Sequence, residues 1–171
     1  AEERLEPYDT FQENARSKAR YFQGKTGLPT VADDSGLEVD ALDGAPGVRT
    51  KRFAQDAGAA DPALEGRDRD DANNRWLVER LHGLPREERT ARYVCVAVLV
   101  DGEGREMVTR GEAEGIIVDE PAGEGGFGYD PHFHDPEFGR TFAQISAREK
   151  NDRSHRGRAF RALARRLSEE S

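Results

Sequence analysis

The stretch TVADDSGLEVDALDGAPG, residues 30–47, opens as a buried strand and then sets two adjacent carboxylates, Asp33 and Asp34, before a serine and a glycine. LPTVAD predicts one strand. GLEVDAL, with Leu37, Val39 and Ala41 alternating, predicts a second, and DGAPG predicts a turn. Like charges at a strand end repel, so either the junction is fully solvated or something positive meets it there. Hard oxygen ligands with open positions suit Mg²⁺, and a solvated turn accounts for DDSG as well.

On the N-terminal side, DTFQENARSKARYFQGKTG predicts a helix. Thr10 as N-cap and Glu13 form a capping box, and Gly24 or Gly27 ends the helix. Phe11, Ala15, Ala19 and Phe22 make its apolar stripe, while Asn14 and Lys18, four apart, share another face. On the C-terminal side, residues 55–70 are small, polar and acidic, which predicts an exposed connection or mobile flap. A helix is expected over about 71–82, with Trp76, Leu77, Leu81 and Leu84 inward. RYVCVAVLVDGEGREMVTRGEAEGIIV predicts a β-hairpin around DGEG and a further strand in EGIIV. PAGEGGFGYDPHFHDPEFG reads as loop. SHRGRAFRALARRLSEE reads as a last helix capped by Ser154, with Phe160, Leu163 and Leu167 at helical spacing.

A chain of 171 residues is long enough for one sizeable domain or one domain with two lobes. The formal charge of −8 argues against a nucleic-acid or membrane surface, both of which want a basic stripe. Lysines are confined to Lys18, Lys25, Lys51 and Lys150, so a lysine in a motif stands out against the arginines. The single cysteine, Cys95, excludes an internal disulfide and fits a reducing compartment. No apolar stretch approaches the ~20 residues that span a bilayer, and AEERLEPYD is no signal peptide, which together predict a cytoplasmic protein.

Four clusters carry more chemistry than their local structure needs. ADDSG offers paired carboxylates. GGFGYDP, residues 125–131, offers glycines that let backbone approach a ligand and two aromatics, Phe127 and Tyr129, that present a flat face to a base or simply pack in a turn. EKNDRSHRG, residues 149–157, crowds Lys150, His155 and Arg156 at a helix start, where cations are misplaced unless they face a ligand. Asn14 and Lys18 add an amide and an ammonium. Together these are what holding a nucleoside triphosphate and its metal requires.

In order and spacing, TFQENARSKA, ADDSGLEVDALDGAPGV, GGFGYDPHF and EKNDRSHRGRA closely resemble the inosine triphosphatase family, the pyrophosphatases that hydrolyse non-standard purine nucleoside triphosphates. The likeness runs from about Thr10 to Leu163. It implies an α/β fold, a mixed, twisted sheet with flanking helices forming two lobes around a central cleft. It implies Mg²⁺-dependent cleavage of dITP, ITP or XTP to the monophosphate and pyrophosphate, by a homodimer acting on a small-molecule nucleotide. By the resemblance Asp34 is the proton acceptor and a magnesium ligand, Asp33 and Glu6 serve the metal, and Ser35 touches substrate. Lys18 contacts phosphate alongside Asn14, and Phe127, Gly128, Tyr129 and Asp130 form the stretch whose phenylalanine stacks on the purine. Lys150, Ser154, His155 and Arg156 read the base edge.

The family opens with a strand and a phosphate-binding loop, [ST]-G-N-x-x-K, which this sequence does not show, so the complete molecule is expected to be longer. The same residues leave two alternatives: a Maf-type pyrophosphatase acting on other modified nucleotides, and a truncated relative that binds nucleotides without cleaving them.

Overall fold

In the computed structural model, which describes residues 5–169, the decisive stretch forms one uninterrupted strand, β1 (Thr30–Val39). The two expected strands with a junction at the aspartates are therefore a single element. Its consecutive side chains point to opposite faces, so Asp33 and Asp34 diverge. Helix α1 (Phe11–Thr26) precedes it, capped as expected: Thr10 Oγ1 accepts from Glu13 N at 3.2 Å, and Gly27 closes the C-terminus. Phe11, Ala15 and Ala19 are buried on its inner face with Asn14, whereas Phe22 lies exposed and edge-on to Tyr21, outside the stripe expected to hold it.

After β1 come a two-residue strand, β2 (Pro46–Gly47), a single helical turn, α2 (Phe53–Asp56), and helix α3 (Gly66–Arg80). Helix α3 begins well before the expected residue 71, because GRDRD faces solvent and carries no apolar period to announce it. The hairpin is present as β3 (Thr90–Val100) and β4 (Glu106–Ile117), and EGIIV is the end of β4 rather than a further strand. The stretch expected as loop contains β5 (Phe133–Asp135) and β6 (Arg140–Thr141). Helix α4 (Ala147–Arg153) then precedes α5 (His155–Glu169).

The strands form a six-stranded sheet in the order β2-β1-β3-β4-β5-β6. β1–β2, β4–β5 and β5–β6 pair antiparallel. Contacts of Cys95 with Asp33 and of Arg92 with Asp40 fix the same sense for β1–β3, and the pairs Arg92–Glu114 and Ile117 N–Arg89 O do so for β3–β4. Within the α/β class, the described pairings are thus antiparallel. β3 reads as a continuous apolar run because Tyr93–Val98 are buried on both faces, while β4 alternates buried and open positions. Phe160 and Leu167 of α5 are partly exposed, and Ala159 and Leu163 are the residues buried instead.

The two expected lobes are two compact units. One takes in the chain up to Gly36, Tyr93–Ala113 and the chain from Asp152; the other takes in Leu37–Arg92 and Glu114–Asn151. In the first unit, β4 admits the backbone of α5 directly at Gly111, where a Cβ would lie 2.1 Å from His155 O. No helix among the described residues is long and apolar enough to cross a membrane.

Candidate functional site

The first unit gathers its chemistry around β1. Asp34 points toward α1: its Oδ2 accepts from Asn14 Nδ2 at 3.0 Å, its Oδ1 accepts from Ser35 N at 3.0 Å, and Lys18 Nζ stands 3.9 Å from Oδ1. Lys18 also donates to Glu6 Oε1 at 2.5 Å, so two carboxylates distant in sequence meet one ammonium. Asn14 and Lys18 reach this point because four helical residues return to the same face. Asn14 is buried, and its remaining capacity ties down the chain before α1: Nδ2 donates to Tyr8 O at 3.2 Å and Oδ1 accepts from Tyr8 N at 3.0 Å. Its donation to Asp34 holds that carboxylate in place. Burial pushes the Asp34 carboxyl up; Asn14 and Lys18 oppose that, and Glu6 adds to it.

Asp33 faces the other side of the sheet. Its Oδ2 accepts from Arg156 Nε at 3.1 Å and Nη2 at 3.0 Å, from the Ser35 hydroxyl at 3.1 Å, and from the Cys95 thiol at 3.5 Å. Asp33, expected to serve the metal, is not brought together with Glu6 and Asp34: strand alternation turns it to the other face, where it anchors Arg156. Cys95 is a free, buried thiol that burial pushes up to about 12. Ser154, expected at the base edge, caps α5 by accepting from Gly157 N at 3.0 Å. His155 stacks on Tyr93 with ring centroids 5.0 Å apart.

Among the described residues no group of three or more His, Cys, Asp or Glu side chains is arranged to hold a metal. Glu6 and Asp34, both at one ammonium, are nonetheless a donor set that Mg²⁺ accepts, since that ion takes one or two protein carboxylates and completes its shell with water and phosphate oxygens.

The second unit carries the aromatic platform. Phe127 is 68% exposed, whereas Tyr129, expected beside it as a second flat face, is buried, and its hydroxyl donates to Thr50 O at 2.7 Å. Burial, with Asp70 nearby, pushes the Tyr129 phenol up. Asp130, 1% exposed, accepts from Phe127 N at 2.9 Å and from the Lys150 ammonium, so it ties the loop to that lysine. Lys150 Nζ lies 4.5 Å from the centroid of the Phe127 ring, a cation–π contact. Gly128, at φ 60°, donates its N–H to Asp70 Oδ2 at 2.9 Å and accepts at its carbonyl from Asn74 Nδ2 at 2.9 Å. A cavity of about 690 Å³ borders this loop, with Arg67, Asp70, Asn74, Phe127 and Gly128 among its walls.

Asp70 and Asn74 were not among the residues singled out from sequence. The available signal was their four-residue spacing next to a second asparagine, Asn73, on a helix whose inner face expected apolar side chains. Asn73 is also structural: its Oδ1 accepts from Ala54 N at 2.9 Å and its Nδ2 donates to Lys51 O at 3.0 Å.

A model of the Ham1 family matches residues 1–166. A dITP/XTP pyrophosphatase of Thermus thermophilus is 49% identical over 154 residues, 90% of this chain and 69% of the relative. A protein of the same name from Frankia alni is 49% identical over 168 residues, 98% of this chain and 81% of the relative. Among solved structures, the Staphylococcus aureus Ham1 protein superposes with a TM-score of 0.85 at 36% identity, covering 97% of this chain and 80% of that one.

Proposed function

Because this chain belongs to the Ham1 family, we propose that it is a nucleoside triphosphate pyrophosphatase, hydrolysing the non-standard purine nucleotides dITP, ITP and XTP to the monophosphate and pyrophosphate. The observation that carries the chemistry is the meeting of Glu6 and Asp34 at Lys18. Phosphoryl-type transfer asks mainly for positioning and charge stabilisation, and this cluster supplies both. Glu6 and Asp34 would hold Mg²⁺, which when bound neutralises polyphosphate charge and lowers the pKa of a water ligand.

Asp34 accepts the proton of the attacking water. An ordinary aspartate, near ~3.9, is a feeble base at neutral pH. Burial makes Asp34 a stronger one, and Asn14 with the Ser35 amide fixes the direction in which its oxygens point. Lys18 exchanges a carboxylate partner for a phosphate oxygen when substrate arrives. The base stacks on Phe127. Each unit has donors that suit a 6-keto oxygen: in the second, Lys150 keeps protons after serving Asp130, and in the first, Arg156, next to His155 in sequence, keeps protons after serving Asp33; adenine offers a 6-amino donor to such donors and is rejected.

The same reading makes the enzyme a cytoplasmic homodimer whose substrate is a free nucleotide, with neither nucleic acid nor membrane as partner. The buried free thiol of Cys95 supports a reducing compartment, and the net charge of −8 speaks against an anionic polymer or surface as partner.

Pyrophosphate release from dITP and from ATP, each with Mg²⁺ and with chelator, tests the proposal. kcat/KM for dITP is expected to exceed that for ATP by about 100-fold, the discrimination polar sites achieve readily, and to vanish on chelation. Equal rates on ATP, or full activity in chelator, would overturn it. Phe127→Ala is expected to raise KM for dITP about tenfold, in line with the ~1–3 kcal/mol of a base–aromatic stack. Its melting temperature should not move, since the ring is largely solvent-exposed.

A further inference from the structure

The Phe127 ring is exposed, yet the peptide that carries it is held by hydrogen bonds at successive residues. Gly128 is gripped on both sides of its backbone by one face of α3: Asp70 takes its N–H and Asn74, one turn later, donates to its carbonyl. On the flanks, Asp130 accepts from Phe127 N and the Tyr129 hydroxyl is anchored on Thr50 O. Gly126 (φ 74°) has no room for a side chain, because a Cβ there would lie 2.1 Å from Asp130 Oδ2. Rigid backbone under a solvent-facing aromatic is wasted on the fold, because the ring itself buries little. It serves a ligand, since an ordered platform loses less conformational freedom when a base settles on it.

Asn74 strengthens the argument. It is 7% exposed, its Nδ2 is used on Gly128, and its Oδ1 is buried with no hydrogen-bond partner. Leaving a buried acceptor unmade is unfavourable, and such orphans in native proteins ask for a reason other than stability. A leucine of nearly the same shape would fill the site without that penalty. The polar residue is therefore retained for the single bond it makes to the loop.

We infer that Asp70 and Asn74 are positioning residues for substrate: a clamp from α3 that presets Phe127 and thereby sets the affinity for the purine base. The inference rests on the functional reading above and adds to it a specificity device outside the residues that touch the nucleotide. Because the cavity bordered by Asp70, Asn74 and Phe127 belongs wholly to the second unit, the clamp acts on base binding and leaves the proton transfer at Asp34 alone.

Three variants of the full chain test it with dITP and Mg²⁺: Asn74→Leu, Asp70→Ala and Asp70→Asn. Asn74→Leu and Asp70→Ala are expected to raise KM about tenfold with kcat within twofold of the parent, and to speed amide exchange at Gly128. Asp70→Asn, which keeps an acceptor for the Gly128 N–H, is expected to restore KM. Asn74→Leu removes the orphan acceptor together with the clamp, so its melting temperature is expected to hold or rise while binding weakens, a combination that a purely structural asparagine cannot give. Should Asp70→Ala fail to fold, Asn74→Leu decides the matter alone. Parental KM in Asn74→Leu, or a loss confined to kcat, would overturn the clamp while leaving the pyrophosphatase reading intact. A parent chain that turns over no purine nucleotide would remove that reading and this inference with it.

Discussion

Asp34→Asn is expected to abolish turnover of dITP, by about 10³-fold or more in kcat, while leaving the protein folded and as stable as the parent. The magnitude follows from the role: a positioned general base contributes ~10²–10⁴-fold, and the same carboxylate is one of the two proposed to hold the metal. Stability should survive for a separate reason. An asparagine is nearly isosteric and its side-chain oxygen still accepts from Ser35 N, while its NH2 faces the Asn14 NH2 and gives up that one bond. Burial disfavours the charged form of Asp34, so replacing it with a neutral amide removes a desolvation penalty. Melting temperature and kcat, measured on one preparation with saturating Mg²⁺, separate the two effects. Retention of even a tenth of kcat would take Asp34 out of the role of base, and a large fall in melting temperature would mean that its carboxylate is a structural group.

The paired aspartates show what the sequence could and could not say. Their identity as a charge cluster meeting something positive was legible, and the structure supplies Lys18 on one face and Arg156 on the other. Their geometry was not, because the polar DDSG invites a loop. The strand continues through it because α1 and α5 offer donors to both faces, so that alternation disperses the repulsion. That is tertiary information, held by residues 20 and 123 positions away along the chain. The same limit holds for Asp33, which the pleat turns away from Glu6 and Asp34 and toward Arg156.

Elements with a strong local signature were readable: the capped first helix, the central hairpin, and the Ser154-capped last helix. Elements fixed by polar contacts at a distance were not. Helix α3 turns two asparagines inward to hold the backbone of other loops, so its buried face lacks the apolar period that announces a helix. β5 and β6 are three and two residues long, too short to show alternation, and are held by pairing with β4 and with each other. Phe22 and Phe160 fail in the opposite sense: both sit at apolar helical spacing, yet both lie at the edge of the stripe and reach solvent.

Gly111→Ala is expected to destabilise the chain by about 3 kcal/mol, at the upper end of what an added methyl in a packed interior usually costs. The new Cβ would lie 2.1 Å from His155 O, 2.4 Å from Ala159 N and 2.9 Å from Arg158 Cβ. Two of these are backbone atoms of α5, which cannot swing aside as a side-chain tip would. Strand and helix must part, and the bonds that bind them, Thr109 Oγ1 to Ala159 O at 2.9 Å and Arg158 Nη1 to Glu112 O at 2.8 Å, lengthen with them. For a chain of this size the loss corresponds to a fall in melting temperature of about 10 °C. The helix that moves carries Arg156, whose fork on Asp33 is fixed only while α5 keeps its distance from the sheet. The surviving folded fraction is therefore expected to discriminate less sharply between dITP and ATP, with kcat on dITP less affected, since Asp34, Asn14 and Lys18 belong to β1 and α1. A melting temperature within about two degrees of the parent would show that β4 yields at Gly111, and that the contact between sheet and helix is not what sets the position of Arg156.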